Sequence, residues 1–242
     1  NVTINNVTIN NPYDSPNTDG IDPESCSNIH ISNCHVDVGD DCIAIKAGTE
    51  GTAERVPCKN ITITNCTMVH GHGGVVIGSE MSGSVENVTI SNCVFTNTDR
   101  GIRLKSRRYR GGAVQDIRVD NVIMENVLCP FIANLYYMWG PRGMDPDVVD
   151  KNPAPVTKDT PVFRRLHFSN MTCKDVNASA GHFFGLAEMY VEDCTFENVY
   201  ISIADNAVEG EPAMYVGVQP VKEKGFVLTN TRGIKFNNVT VV

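Results

Sequence analysis

Asp40 and Asp41 stand side by side in Gly39-Asp-Asp-Cys42. Asp19 lies upstream in Asn17-Thr-Asp-Gly20 and His72 downstream in Gly71-His-Gly73, with Arg103 and Lys105 two residues apart beyond them. Carboxylates held close together cannot all ionise freely. One keeps its proton near neutrality while its neighbours remain bases. One acid and one base of that kind can hydrolyse a glycosidic bond. Two cations spaced two apart in a strand project from the same face, where they can hold an anionic substrate. Asp-rich turns can also cap the corners of coiled folds or bind calcium. The lack of further acids beside these three, and the nearby cations, argue for a site with no metal and no cofactor.

These residues are useful only if the chain brings them together, and a repeat does so. Asn28-Ile-His-Ile-Ser-Asn-Cys34, Asn60-Ile-Thr-Ile-Thr-Asn-Cys66 and Asn87-Val-Thr-Ile-Ser-Asn-Cys93 are one phrase written three times. Each is followed by a second apolar run: Cys42-Ile-Ala-Ile-Lys46, Val75-Val-Ile-Gly78 and Ile102-Arg-Leu-Lys105. Asn33 to Asn65 and Ile45 to Ile77 are both 32 residues, while Asn65 to Asn92 and Ile77 to Leu104 are both 27. Two strands per turn at matching offsets describe an all-β solenoid of stacked rungs, a parallel β-helix.

The same steps place the chemistry. Adding 32 to Asp40 reaches His72, and the 22 residues from Asn6 to Asn28, added to Asp19, reach Asp41. Both pairs are expected as vertical neighbours. If Ile102 and Leu104 fill the core, Arg103 and Lys105 point outward above Val76 and Gly78, so acids and cations share one groove.

The rest of the chain agrees with one domain over residues 1–242. Its 242 residues are 41% hydrophobic, enough for a single core. The repeat is already running at Asn1-Val-Thr-Ile and Asn6-Val-Thr-Ile, so N-terminal rungs and a cap are expected to precede this stretch. The period breaks between about 129 and 160, a proline-rich stretch with the sole tryptophan, Trp139. Such an insertion tends to sit on the binding face. The coil resumes at Arg165-Leu-His-Phe-Ser-Asn170. Cys34, Cys66 and Cys93 recur at one repeat position, which predicts a column of mostly free, buried thiols. Asn33, Asn65, Asn92, Asn121 and Asn170 are expected to form a ladder of side-chain amides.

A net charge of −8 disfavours nucleic acid as a partner, and no apolar run approaches the ~18 residues of a membrane span. Six of the 20 Lys and Arg residues nevertheless fall between Arg100 and Arg110. They read equally as a local anion site or as a solvated basic loop.

In that order, Asn17-Thr-Asp-Gly20, Gly39-Asp-Asp-Cys-Ile-Ala-Ile-Lys46, Gly71-His-Gly73 and Arg103-Leu-Lys105 resemble the four signature motifs of the polygalacturonases, glycoside hydrolase family 28. The resemblance implies a right-handed coil and a secreted or periplasmic hydrolase of pectin. Such an enzyme cleaves α-1,4 bonds of galacturonan with inversion and without a metal. It further implies Asp40 as general acid, Asp19 and Asp41 as activators of water, and His72 as the group holding the acid's protonation and orientation. Arg103 and Lys105 would bind the substrate carboxylate, with Tyr137 as the family's tyrosine and Tyr136 as its nearest rival. Gly71-His-Gly-Gly-Val-Val-Ile-Gly-Ser-Glu80, with its extra glycine and acid, is similar to bacterial exo-acting members.

On this reading Arg107, Arg108 and Arg110 would form a patch that attracts a polyanion. Trp139 and Tyr136 would stack on sugars or pack internally, and Lys46 would join the groove or lie at its edge. Alternatives are a rhamnogalacturonan or xylogalacturonan hydrolase, a calcium-dependent lyase, or a carbohydrate-binding β-helix without turnover. A one-rung spacing of ~4.8 Å between carboxylates would by itself suggest retention rather than inversion.

Overall fold

In a computed structural model covering residues 1–242, the chain forms a right-handed parallel β-helix built from a 12-stranded and a 6-stranded sheet. Every strand ladder is parallel; the only antiparallel pairing is one isolated bridge, Gly210 with Val221. The recurring phrase supplies the larger sheet. Ser27–Ser32 pairs with Cys58–Thr64, which pairs with Val85–Thr96, in the register Ile29–Ile61–Val88. The second apolar run supplies the smaller sheet, where Asp41–Ile45, Gly73–Gly78 and Arg100–Lys105 stack as Ile43–Val75–Ile102.

The asparagines work because they accept the left-handed backbone that most residues avoid. Asn33, Asn65, Asn92 and Asn121 have φ between 53° and 55°, and each turns the chain between two short strand segments. Asn33 donates to Asn5 (2.8 Å), Asn65 to Asn33 (3.5 Å) and Asn121 to Asn92 (2.7 Å). The ladder is not continuous. Asn92 turns to the Thr64 hydroxyl instead (3.4 Å), and Asn170 to Asp120 (2.8 Å). A hydroxyl or carboxylate one residue before the rung's asparagine satisfies the same amide. All nine cysteines are free thiols, and Cys34, Cys66 and Cys93 are buried. Above Cys93 the column continues as Val122, Met171 and Val199.

Strict alternation would turn Asp41 into the core with Ile43. Instead Cys42 and Ile43 both join the core, and Asp41 projects outward with Ala44. The next rungs repeat this. A side chain at Gly74 would strike Phe95 inside the coil, whereas one at Gly73 would meet Val76 and Arg103 outside it. These doubled inward positions give the smaller sheet a polar outer face.

The irregular stretch begins later than the expected position near 129. Cys129–Asn134 is a strand of the smaller sheet, in register with Arg100–Lys105. Pro130 reads as a breaker but occupies a strand position here. The chain then leaves the coil until Val162–Val176, apart from the single turn Pro146–Val149. A second excursion carries no mark in the repeat pattern. Between Val191–Ile203 and Lys224–Thr229 the chain folds back across the outer face of the smaller sheet. Ala213 packs there on Cys129 and Ile132, and Tyr215 stacks on His182 with ring centroids 5.7 Å apart.

Candidate active site

All seven residues singled out by spacing and resemblance line one cavity of about 510 Å³: Asp19, Asp40, Asp41, His72, Arg103, Lys105 and Tyr137. Parallel pairing without a slip in register is the reason. Ile21 bridges Ile43, so Asp19 stands beside Asp41, and Gly20 N–H donates to the Asp41 carbonyl at 3.0 Å. Asp41 pairs with Gly73, and His72 N–H donates to the Asp40 carbonyl at 3.1 Å. That bond needs Gly71. Its φ is +75°, and a Cβ there would lie 2.2 Å from the Asp40 carbonyl oxygen.

The three carboxylates offer oxygens within 4.8 Å of one another, yet their surroundings separate them. Asp40 is half-buried. Burial, then the charges of Asp41 and Asp19, raise its pKa, and His72 and Lys105 only partly oppose this. Its Oδ1 accepts the Asp41 N–H at 2.9 Å. For Asp41, burial also disfavours charge, but Lys105 and Arg103 outweigh it and hold the carboxyl below the usual range. Lys105 Nζ lies 2.7 Å from Oδ2, and Arg103 Nη1 lies 3.1 Å from Oδ1. One acid therefore retains its proton more readily while its neighbour is a fixed anion.

Arg103 and Lys105 project into the groove, but in this state both are buried against Asp41. Gly73 gives Arg103 room to lean across. Tyr137 closes the floor beside them, its ring centroid 5.1 Å from Lys105 Nζ and 5.8 Å from the Arg103 guanidinium. Burial pushes its phenol up to about 12, so it stays neutral. Tyr136, the rival position, packs internally on Phe184 and Arg108. Trp139 is 58% exposed at the cavity's lip.

His72 stands beside Asp40 as the register requires, but its ring is held by another carboxylate. Its Nδ1 is 2.8 Å from Asp99 Oδ2. Asp99 is kept ionised because the His72 bond and the Arg100 charge outweigh burial. Nδ1 must therefore carry the hydrogen. The Asp99 bond raises the His72 pKa against the opposing effect of burial. Asp99 was legible, since it lies 27 residues past His72, one more step of the same register. Met214 carried no such signal. It reaches the cavity from the aperiodic excursion 204–223, and Arg103 Nη2 donates to its sulfur at 2.9 Å. Arg100 anchors that excursion through the carbonyls of Glu211 (2.6 Å) and Pro212 (3.3 Å).

The expected polyanion-attracting patch is not there. Arg107, Arg108 and Arg110 are each less than 4% exposed and are consumed internally. Arg107 and Arg110 share Glu50, while Arg108 forks onto Glu188 and also bonds the carbonyls of Asp147, Asp150 and Asn152. Past Lys105 the chain leaves the sheet, and Arg107 and Arg108 are buried against the insertion they fasten, Arg107 through the Pro141 carbonyl, while Arg110 turns to Glu50 and Glu80.

Paired carboxylates of split acidity, facing two cations in an open groove on a parallel β-helix, define a site suited to acid–base work on an anionic ligand. The model of the Glycosyl hydrolases family 28 matches residues 1–152, and the chain belongs to that family. A probable polygalacturonase of Vitis vinifera is 36% identical over 183 residues, covering 74% of this chain and 35% of its own length. An endo-polygalacturonase of Pectobacterium parmentieri is 39% identical over 154 residues, 64% of this chain and 37% of its own. The crystal structure of an exopolygalacturonase from Thermotoga maritima aligns at a TM-score of 0.71 and 31% identity, over 93% of this chain and 50% of that one. The chain thus spans about a third to a half of the length of these relatives.

Proposed function

We propose that residues 1–242 form the catalytic coil of a pectin-degrading glycosidase that hydrolyses α-1,4-galacturonosidic bonds with inversion. The observation that carries this reading is the split between Asp40, whose pKa is raised, and Asp41, clamped as an anion between Arg103 and Lys105. Asp40 delivers its proton to the glycosidic oxygen as the bond breaks. A water held between Asp19 and Asp41 loses one proton to Asp19 and attacks the anomeric carbon from the opposite side, while Asp41 orients it as a fixed anion. Arg103 and Lys105 take the carboxylate of the sugar at the cleavage point, and Tyr137 supports both cations. The imidazolium of His72, steadied by Asp99, orients Asp40 and its proton.

Closely spaced acids would ordinarily suggest a covalent intermediate and retention. Asp41 is a poor nucleophile while both its oxygens are ion-paired, which favours attack by water and hence inversion. The excursion 204–223 covers the outer face of Cys129–Asn134 and ends the groove at Met214. That supports exo action, with a chain end lodged against this wall. Because pectin is a wall polymer, the expected site of action is outside the cytoplasm.

Polygalacturonate should yield new reducing ends, released as short products from the start of the time course. Asp40→Asn should lower turnover by ~10²–10⁴-fold while polymer binding survives. Proton NMR of the first product should show the inverted anomer. Retained turnover in Asp40→Asn removes it as the acid. Products absorbing in the near ultraviolet would instead indicate a lyase, and activity confined to rhamnogalacturonan or xylogalacturonan would reassign the substrate.

A further inference from the structure

The cavity contains another cation to which the chemistry above gives no part. Lys46 directly follows Asp41–Ile45 and faces outward beside Gly78, on which Lys105 stacks. Its ammonium lies 3.3 Å from Asp19 Oδ2 and 2.5 Å from Asp22 Oδ2. The backbone binds Lys46 to the segment carrying both acids: Lys46 N–H donates to the Pro23 carbonyl at 2.9 Å, and Glu24 bridges Lys46. Burial disfavours the Lys46 charge, but the Asp22 bond, with Asp19 behind it, outweighs this and raises its pKa. Burial pushes Asp22 up to about 6 despite the lysine. Of the other charged groups nearby, Glu24 is occupied with Gly48 N–H at 3.2 Å, and Asp40, Asp41, Glu80, His72, Arg103 and Lys105 line the rest of the cavity.

We propose that Lys46 is a positioning residue for the hydrolysis: its ammonium, braced from behind by Asp22, holds Oδ2 of Asp19 so that Oδ1 faces the attacking water. The inference rests on the glycosidase reading. In the step it serves, the water oxygen bonds to the anomeric carbon and one water proton passes to Asp19 Oδ1. The glycosidic oxygen leaves with the proton of Asp40. A lysine pinned between two carboxylates has little capacity left for the substrate, so its effect belongs in the rate rather than in binding. A carboxylate with one oxygen tied down also loses the freedom to rotate away from the water between it and Asp41.

The test uses the full chain with polygalacturonate and follows kcat and KM. Lys46→Met should lower kcat by ~10–100-fold with KM changed less than about threefold. Lys46→Arg should recover kcat to within about fivefold of the unmodified chain by restoring the charge. Asp22→Asn, which removes only the brace, should lower kcat less than Lys46→Met does. A raised KM with unchanged kcat would make Lys46 a substrate contact and overturn the proposal. So would a lowered Tm with unaltered kinetics, which marks a structural brace alone. If Lys46→Met does not fold, Lys46→Arg and Asp22→Asn decide: unchanged kcat in Asp22→Asn, or a loss well beyond fivefold in Lys46→Arg, overturns it. An unmodified chain that releases no reducing ends defeats the glycosidase reading itself, which the control distinguishes from a failure of Lys46.

Discussion

Arg103 and Lys105 and, a few residues on, Arg107, Arg108 and Arg110 are alike in composition and opposite in use. The first two stand in adjacent outward columns of the smaller sheet and share one carboxylate, Asp41, at the floor of an open groove. The other three lie beyond the strand's end and pair with Glu50, Glu80 and Glu188, and two of them, Arg107 and Arg108, fasten carbonyls of the insertion from Pro141 to Asn152. All five are buried, so position relative to the strand end decides which cations line the groove and which hold the chain. A strand residue facing outward over small neighbours looks into a groove, whereas one past the end is overlaid by whatever the chain does next.

Two substitutions sharpen that contrast. Arg108→Ala leaves Glu188, 5% exposed, as an unpaired buried charge and strips three carbonyls of their donor. Breaking a buried pair of this kind costs about 3–5 kcal/mol. Urea denaturation should show that loss, with KM close to the unmodified value wherever the protein is still folded. A variant that kept its stability but lost affinity for polygalacturonate would return Arg108 to the substrate. Lys105→Met should do the reverse. It keeps the stem and removes the charge, so KM should rise by ~10–100-fold, the worth of one charged hydrogen bond. Stability should change less than in Arg108→Ala, because Arg103 still pairs with Asp41. Unaltered KM with a large loss of stability would dissolve the distinction between the two groups of cations.

How far this was legible from residue order follows from which features keep a period. The coil was readable because the Asn-Ile-x-Ile phrase and the second apolar run advance by equal steps. The neighbours Asp40–His72 and Asp19–Asp41 were readable because parallel ladders conserve register. The same arithmetic reaches Asp99 from His72. The excursion 204–223 has no period and no phrase, and nothing in its composition says that Met214 will lie on Arg103. The burial of Arg107, Arg108 and Arg110 depends on where the insertion folds, a tertiary matter that charge counting cannot reach. Tyr137 over Tyr136 was decided by the chain leaving the strand: Tyr137 N–H donates to the Ser106 carbonyl at 2.9 Å, which turns its ring to the groove while Tyr136 enters the interior.

The smallest of the expected effects concerns the one cation of the groove that can be switched off. His72 lies between Asp99 and Asp40, and its raised pKa comes first from the Asp99 bond. The imidazolium should therefore persist above its ordinary midpoint of about 6.5, and the alkaline limb of kcat/KM should report it. Asp99→Asn keeps a hydrogen-bond acceptor but removes the charge, so that limb should move down by up to about one pH unit. The sign for stability follows. A histidine with a raised folded pKa contributes fully below its unfolded pKa and loses that contribution as pH rises through the folded value. Asp99, with a depressed pKa, contributes only above its own unfolded value near 4. The Tm difference between the unmodified chain and Asp99→Asn should thus be greatest between about pH 4 and pH 6.5 and shrink above it. An alkaline limb that stays in place would mean that His72 does not act in its charged form, and the work of the groove's cations would then fall to Arg103, Lys105 and Lys46.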